Sequence, residues 1–199
     1  WVDPLGKIIS PTPTSGVVGN IDPSLSTNAW WRNQAEDISA ITKYDDLMLK
    51  MESMWIDCSL YTGGTPDLIL MDPTSYKLFV FAQYLRFRQT VESIPNYPFE
   101  ATKFKTAKVV ADQKMPDFKS SLTSYATYGS AMFINSAFMK LRYDSSVNFE
   151  WLKDDKGVAF AKPINGDSRV GHMAWRGQIT CSNRRKQGLL FGIPRTLTA

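Results

Sequence analysis

The fold is decided near the end of the sequence, in the stretch Arg169-Val-Gly-His-Met-Ala-Trp-Arg-Gly-Gln-Ile-Thr-Cys-Ser-Asn-Arg-Arg-Lys-Gln-Gly-Leu-Leu-Phe-Gly192. From Val170 to Cys181 the residue types alternate with a period of two, which predicts a long strand with both faces partly covered. Ser182-Asn183 predicts a turn, and Leu189-Leu190-Phe191 predicts the start of a return strand.

The same stretch is strongly basic. No Asp or Glu occurs between Ser168 and Ala199, and this segment carries six positive charges, at Arg169, Arg176, Arg184, Arg185, Lys186 and Arg195. Such a segment favours a negative partner, either acidic surfaces on neighbouring subunits or a polyanion. The alternative is a basic turn that faces water, as charged turns usually do.

Composition predicts a globular protein with a substantial core. The chain has 199 residues, of which 43% are hydrophobic, 13% aromatic and 21% charged. A net charge of +4 is too small by itself to indicate a nucleic-acid binder. Its two cysteines do not form a disulfide framework, and no apolar run approaches the roughly 20 residues that span a bilayer.

Residues 1–41 are predicted to form an extended lead-in, since Pro, Gly, Ser and Thr are frequent near its start. Adjacent Trp30 and Trp31 cannot point the same way on a strand, so one is expected to pack inward and the other toward a neighbour. Burial of both in the core is the alternative.

Two helices are predicted next. Thr42 to Asp45 has the form of a capping box. One apolar stripe then recurs at helical spacing, and Gly63-Gly64 ends the helix. The stripe consists of Ile41, Tyr44, Met48, Met51, Trp55 and Cys58.

A short buried strand is predicted at residues 66–72, followed by a helix that runs to about Gln89. Asp72 is expected to cap this helix, with Pro73 at its first position. A catalytic carboxylate could occupy the same corner, but no second carboxylate or His lies nearby in the sequence. The cap is therefore the favoured interpretation of Asp72.

Short strands dominate the remainder. Strands are predicted at residues 107–111, 131–135, 138–143 and 147–152, with a long surface loop at 112–128 and a further loop at 94–99. Asp154 to Gly157 and Asn165 to Asp167 are typical of hairpin turns. This succession predicts an α+β chain.

The sequence contains little that indicates catalysis. His172 is its single histidine, and neither cysteines nor carboxylates stand around it at metal-ligand spacing. Phosphate-binding and dinucleotide-binding glycine motifs are absent, as is the nucleophile elbow of hydrolases. We therefore expect no catalytic residues, metal or cofactor. An enzyme that uses Asp67 or Asp72 is the least favoured alternative.

Several segments taken together resemble the major capsid protein of tailed bacteriophages, the family with the Hong Kong 97-type fold. The resemblance is carried by Asn28-Ala-Trp-Trp-Arg-Asn-Gln34, Gly64-Thr-Pro-Asp-Leu-Ile69, Phe133-Ile-Asn135, Lys140-Leu-Arg-Tyr143, Asn148-Phe149, Gly171-His-Met-Ala-Trp175 and Ser182-Asn-Arg-Arg-Lys-Gln-Gly188. Their order and spacing are similar to the C-terminal two-thirds of such proteins.

The resemblance implies an axial domain, with a central sheet flanked by helices, and part of a peripheral domain with long strands. It assigns residues 1–41 to the lead-in and a peripheral segment, 42–143 to the axial domain, and 144–199 to return strands of the peripheral domain. The family's spine helix, N-terminal arm and extended loop have no match and are expected before Trp1. The chemistry by which some members cross-link subunits has no match either.

The function implied is that of a major capsid protein, which self-assembles into the icosahedral head enclosing the double-stranded DNA of a tailed phage. Expected partners are further copies in pentamers and hexamers, packaged DNA, and portal, scaffold and decoration proteins, without a membrane. The expected locations are the virion and, during assembly, the host cytoplasm. Contacts with other subunits or the DNA side are expected from Trp30, Trp31, Arg32, Arg176, Arg184, Arg185 and Lys186.

Two other functions remain open. An encapsulin-like compartment would share the fold but enclose enzymes in place of a genome. A small nucleic-acid-binding module would use the basic C-terminal segment, and its monomer would bind with a steep dependence on salt.

Overall fold

A seven-stranded mixed sheet with two α-helices on one of its faces forms the centre of this α+β chain. The structure is a computed structural model that describes residues 5–86, 92–93, 100–119, 127–153, 157, 159–161 and 169–198. The elements are α1 (Leu5–Ile8), β1 (Gln34–Asp37), α2 (Tyr44–Ser59), β2 (Leu68–Met71), α3 (Pro73–Arg86), β3 (Glu92–Ser93), β4 (Glu100–Phe104), β5 (Ala107–Ala111), β6 (Tyr128–Ile134), β7 (Met139–Trp151), β8 (Phe160–Ala161), β9 (Val170–Gly171), β10 (Met173–Cys181) and β11 (Gly188–Pro194).

The sheet joins distant parts of the chain. Its strand order is β1-β11-β6-β2-β5-β4-β3, and the β1–β11 and β2–β5 pairs are parallel. Strand β11 lies between β1 and β6, so that Gly188 is opposite both Gln34 and Phe133. The central sheet therefore takes strands from each of the ranges 1–41, 42–143 and 144–199.

Alternation along the central strands produces two cores. Ile69, Phe133 and Leu190 belong to the core under α2 and α3. Their neighbours Met132 and Leu189 belong to a second core, on the other face, which includes Ile8 and Ile9. Because successive strand residues point to opposite faces, each central strand contributes to both cores.

Helix α2 packs on the sheet through a stripe shifted from the predicted one. Leu47, Met51, Met54 and Cys58 are its buried residues, whereas Tyr44, Met48 and Trp55 pack at the margins. The predicted capping box is wrong. Lys43 occupies the N-cap position without a side-chain bond, and the Tyr44 amide donates to the carbonyl of Thr198, in the C-terminal segment.

The strand predictions after residue 130 need correction. The segments 138–143 and 147–152 form one strand, β7, which pairs antiparallel with β10. The segment Leu189-Leu190-Phe191 does begin a strand, but β11 enters the central sheet and does not return along β10. The two-stranded pair of β7 and β10 is called the ribbon below.

Other sequence predictions lie wholly or partly outside the described residues. They concern the end of the second helix at residues 87–89, the loop at 94–99, part of the loop at 112–128, and the turns at 154–157 and 165–167. None of the described helices is both long and apolar enough to cross a membrane.

The buried thiol of Cys58 predicts a loss of stability at high pH. Burial, with Asp57 adding to it, raises the pKa of Cys58 to about 12. Above the unfolded pKa of about 8.5, the unfolded chain releases the thiol proton while the folded chain retains it. The free energy of unfolding therefore falls as pH rises from about 8.5 toward 12, by about 2 kcal/mol at pH 10.

The measurement is urea denaturation of wild type and Cys58→Ala at pH 7.5 and pH 10. Because Cys58→Ala lacks this thiol, we expect its free energy of unfolding to fall less between the two pH values. An equal fall in both proteins would contradict the prediction.

Candidate assembly surface

The ribbon has one apolar and one polar face. Paired residues of antiparallel strands lie on the same face, and the pairs Met139–Cys181, Leu141–Ile179 and Trp151–Met173 are all apolar. Trp175 lies on this side too, since its ring covers the position that a Cβ of Gly177 would occupy. The apolar ribbon face consists of Met139, Leu141, Tyr143, Trp151, Met173, Trp175, Ile179 and Cys181.

This apolar face begins in the core and continues beyond it. Met139, Ile179 and Cys181 pack against the second core. Farther along the ribbon, Leu141 is 60% and Tyr143 is 58% exposed, and Trp151 and Met173 are also exposed. A two-stranded sheet without a covering layer is marginally stable in water. Among the described residues, Phe160 packs against this outer part at Trp151, with 4.8 Å between the ring centres, and Leu141, Tyr143 and Met173 stay exposed.

The opposite face of the ribbon is polar and carries charges of both signs, including the exposed Glu150, which pairs with Ala174. Lys140 and Arg142 alternate with the apolar residues of β7, and Arg176 does so on β10. All three side chains are exposed. Hydrogen bonds from Ser146 hold the pKa of Asp144 below its ordinary value, and the charge of Arg176 adds to this effect.

An irregularity separates the two halves of the ribbon. Residues 144–147 of β7 stand opposite Arg176 alone, because Tyr143 pairs with Gly177 and Asn148 with Trp175. A second register shift follows at Phe149, which has φ of 55°. Its ring lies 6.2 Å from that of Trp175. Bulges of this kind bend a strand and redirect side chains, and here an aromatic side chain is held on the exposed part of the ribbon.

Arg184 is not available for contact with another molecule. Its side chain is fully buried, and its Nε donates to the carbonyl of Ile8 at 2.6 Å while Nη2 donates to Oδ1 of Asn33 at 2.8 Å. Nη1 has no hydrogen-bond partner among the described residues. Burial lowers the pKa of Arg184. The expectation that it faces a neighbour or DNA is corrected, because the cation docks the N-terminal segment instead.

Lys186 is also used inside the chain. Its Nζ donates to the carbonyls of Leu60 and Tyr61, at the end of α2 where the helix dipole favours a cation. The expected external contact of Lys186 is therefore corrected too. Arg185 lies 4.6 Å from the centre of the Tyr61 ring and is partly exposed, so its contact with another molecule stays a prediction.

The three residues expected to form contacts near the N terminus differ in exposure. Trp31 is buried and donates from Nε1 to the carbonyl of Val18. Trp30 is about half exposed. Arg32 donates from Nε to the carbonyl of Pro23 and is half-buried. External contacts of Trp30 and Arg32, and of the exposed Arg176, stay predictions.

Asp72 lies at the junction of β2 and α3. Its Oδ2 accepts from the amides of Thr74 and Ser75, which is the geometry of a helix cap. Its Oδ1 accepts from the amide of Ser130, and Arg195 forms an ion pair with it. The carboxylate is thus committed to backbone amides and a guanidinium that fix the start of α3.

Asp67 and Asp72 are the residues that a catalytic function would use, and both carboxylates are held by packing or hydrogen bonds. A Cβ at Gly129 would lie 2.5 Å from Oδ1 of Asp72, so only glycine permits this approach of β6. Asp67 accepts from the amide and hydroxyl of Ser136. Within the described part of the chain, no group of three His, Cys, Asp or Glu side chains could hold a metal ion.

Sequence reasoning missed two features of this region. Asn33 was not singled out, because nothing in its sequence neighbourhood indicates that it accepts a bond from residue 184. The apolar ribbon face was also missed, although a signal existed: Leu141 and Tyr143 alternate with Lys140 and Arg142. That alternation indicates a two-sided strand, but it does not indicate whether the apolar side is covered.

The contact between Arg184 and Asn33 predicts a large effect from a small truncation. Asn33→Ala removes an acceptor from a buried cation and the amide that donates to the carbonyl of Ser10. We expect the free energy of unfolding to fall by about 2–4 kcal/mol. Urea denaturation would measure this loss, with Asn148→Ala as the matched control at an exposed position. A change as small as that of the control would contradict the assignment.

Comparison with known proteins finds similarity among solved structures only. No protein-family model matches the chain, and no curated protein matches its sequence. Among solved structures, the chain is similar to the holo-SrpI encapsulin complex from Synechococcus elongatus PCC 7942, determined by cryo-electron microscopy, with 11% sequence identity and a TM-score of 0.49. The similarity covers 81% of this chain and 53% of that chain. This chain thus spans about half the length of the encapsulin chain.

Proposed function

We propose that this protein is a structural subunit of a capsid-like shell built from many copies of itself. The observation that carries the proposal is the apolar ribbon face, which extends from the second core and has Leu141, Tyr143 and Met173 exposed among the described residues. Isolated exposed apolar residues are common, but a continuous apolar face is typical of an interaction site.

The energetics of the ribbon support association. Leu141, Tyr143, Phe149, Trp151 and Met173 together expose on the order of 600 Å². Covering that surface would contribute on the order of 15 kcal/mol before the entropy of association is subtracted. Aromatic side chains and methionine are also the types enriched at protein interfaces.

The proposal extends to the domain organisation that the sequence resemblance implies. We assign the central sheet with α2 and α3 to the axial domain of the Hong Kong 97-type fold, and the ribbon to its peripheral domain. Asp67 and Asp72 have structural partners, which is consistent with a role that is structural and not enzymatic.

Two functions fit the proposed shell, and they differ in what the shell encloses. One is an encapsulin-like compartment that encloses enzymes, and the other is the DNA-filled head of a tailed phage. Lys140, Arg142 and Arg176 on the polar ribbon face could contact a polyanion, and the carboxylates of Asp144 and Glu150 on the same part of the ribbon would oppose it. Packaged DNA, the portal, scaffold and decoration proteins, and location in the virion stay predictions of the sequence resemblance.

The proposal is tested by sedimentation velocity and negative-stain electron microscopy of the native assembly, purified from the cells that make it. We expect closed particles of uniform size. Nuclease-resistant DNA inside them would indicate a phage head, and particles free of nucleic acid would indicate a compartment. A protein that stays monomeric would overturn the proposed function.

A single substitution on the ribbon tests the role of its apolar face. Tyr143→Asp places a charge where an apolar contact is expected, and we expect it to prevent particle formation while the melting temperature of the subunit changes little. Leu25→Asp is the matched control, because Leu25 is similarly exposed but distant from the ribbon in sequence. Normal particles from Tyr143→Asp would contradict the assignment of this face.

A further inference from the structure

Helix α3 has a second apolar stripe on the side away from the sheet. Its buried side holds Leu78, Phe79 and Ala82. Its outer side holds Phe81 and Tyr84, which follow Lys77 at the i, i+4 and i+7 spacing of a single helix face. Val80 lies between the two sides and also packs against the core. A helix that is apolar on both sides is typical of one that is covered on both sides.

This outer stripe lines an open groove. The groove has a volume of about 690 Å³ and is bounded by α3 and by Tyr44 at the start of α2. The rings of Tyr44 and Phe81 are 5.1 Å apart. Tyr84 is 70% and Phe81 is 47% exposed, and Lys77 is the one charged residue among the described residues of the lining. The groove is thus an aromatic surface with almost no charge.

The groove and the apolar ribbon face belong to opposite sides of the central sheet. Helices α2 and α3 cover the face that includes Ile69 and Phe133. The base of the ribbon, at Met139 and Ile179, packs with the core on the other face. A ribbon that occupies the groove therefore has to come from a second copy of the chain.

We propose that the α3 groove of one subunit receives the apolar ribbon face of the next. The inference rests on the proposed function, and it names the surface of the partner that covers the ribbon. It describes a heterologous contact, in which each copy uses its ribbon on one neighbour and its groove on another. Repeated contacts of this type generate closed rings or larger assemblies.

The combined area suits one specific interface. The exposed parts of the ribbon face, together with Phe81, Tyr84 and Leu85 of α3, amount to on the order of 1,000 Å² of apolar surface. A stable interface buries about 1,200–2,000 Å² in total, of which somewhat more than half is apolar. The two surfaces therefore provide the apolar part of an interface of ordinary size.

The test is a complementation experiment with two variants of the full-length gene product. Phe81→Asp damages the groove and leaves the ribbon intact, whereas Tyr143→Asp damages the ribbon and leaves the groove intact. We expect each variant alone to associate at least about tenfold more weakly than wild type, because a carboxylate would be buried in an apolar contact. Sedimentation velocity measures the association, and Leu25→Asp is again the control.

Mixing the two variants distinguishes this contact from any other. The intact ribbon of Phe81→Asp can enter the intact groove of Tyr143→Asp, but the resulting pair has no second intact interface. We expect a mixed species of twice the protomer mass and no larger particles. Since both positions are exposed in the protomer, circular dichroism should show both variants folded.

Each other outcome has a separate meaning. If wild type assembles and Phe81→Asp assembles equally well, the groove is not the docking site and the inference is overturned, while the proposed function stands. If both variants fail to associate alone and also fail when mixed, the ribbon and groove do not contact each other, and the inference is again overturned. A monomeric wild type overturns the proposed function itself.

Discussion

Arg184 brings a guanidinium into the interior, where a cation must be solvated by protein groups. The acceptors of its described hydrogen bonds are neutral, namely the carbonyl of Ile8 and the side chain of Asn33. These bonds join the turn between β10 and β11 to the N-terminal segment, which supplies Ile8 and Ile9 to the second core. The packing of the ribbon base depends on that core, so the position of the ribbon depends on this network.

Local sequence patterns were sufficient for part of the fold. Helical spacing located α2 and most of α3, and short apolar runs located β2 and β5. Local sequence patterns could not predict which strands pair when those strands are far apart in the sequence. Strand β11 takes its place through bonds to β1 and β6, which lie far away in sequence. The predicted capping box is wrong for the same reason, because the Tyr44 amide donates a hydrogen bond to the carbonyl of Thr198, at the other end of the chain.

The candidate site was predictable only in outline. Charge counting drew attention to Arg184, Arg185 and Lys186, and composition cannot distinguish a solvated cation from one bonded to carbonyls. Lys186 bonds to the end of α2, and Arg184 is fully buried. The apolar ribbon face was present in the sequence as simple alternation at Leu141 and Tyr143. Its importance follows from the exposure of Leu141 and Tyr143. That exposure depends on which distant elements pack against the ribbon, and local alternation does not indicate this.

The exposed ribbon also affects whether a newly synthesised subunit aggregates or is degraded before it associates. In the proposed assembly, a subunit that has not yet associated exposes aromatic side chains and, among the described residues, the outer edges of β7 and β10. Such surfaces promote aggregation. The proposed association depends on subunit concentration, whereas proteolysis of a lone subunit does not. Slow synthesis would therefore favour loss of the protein, and a burst of synthesis would favour its accumulation.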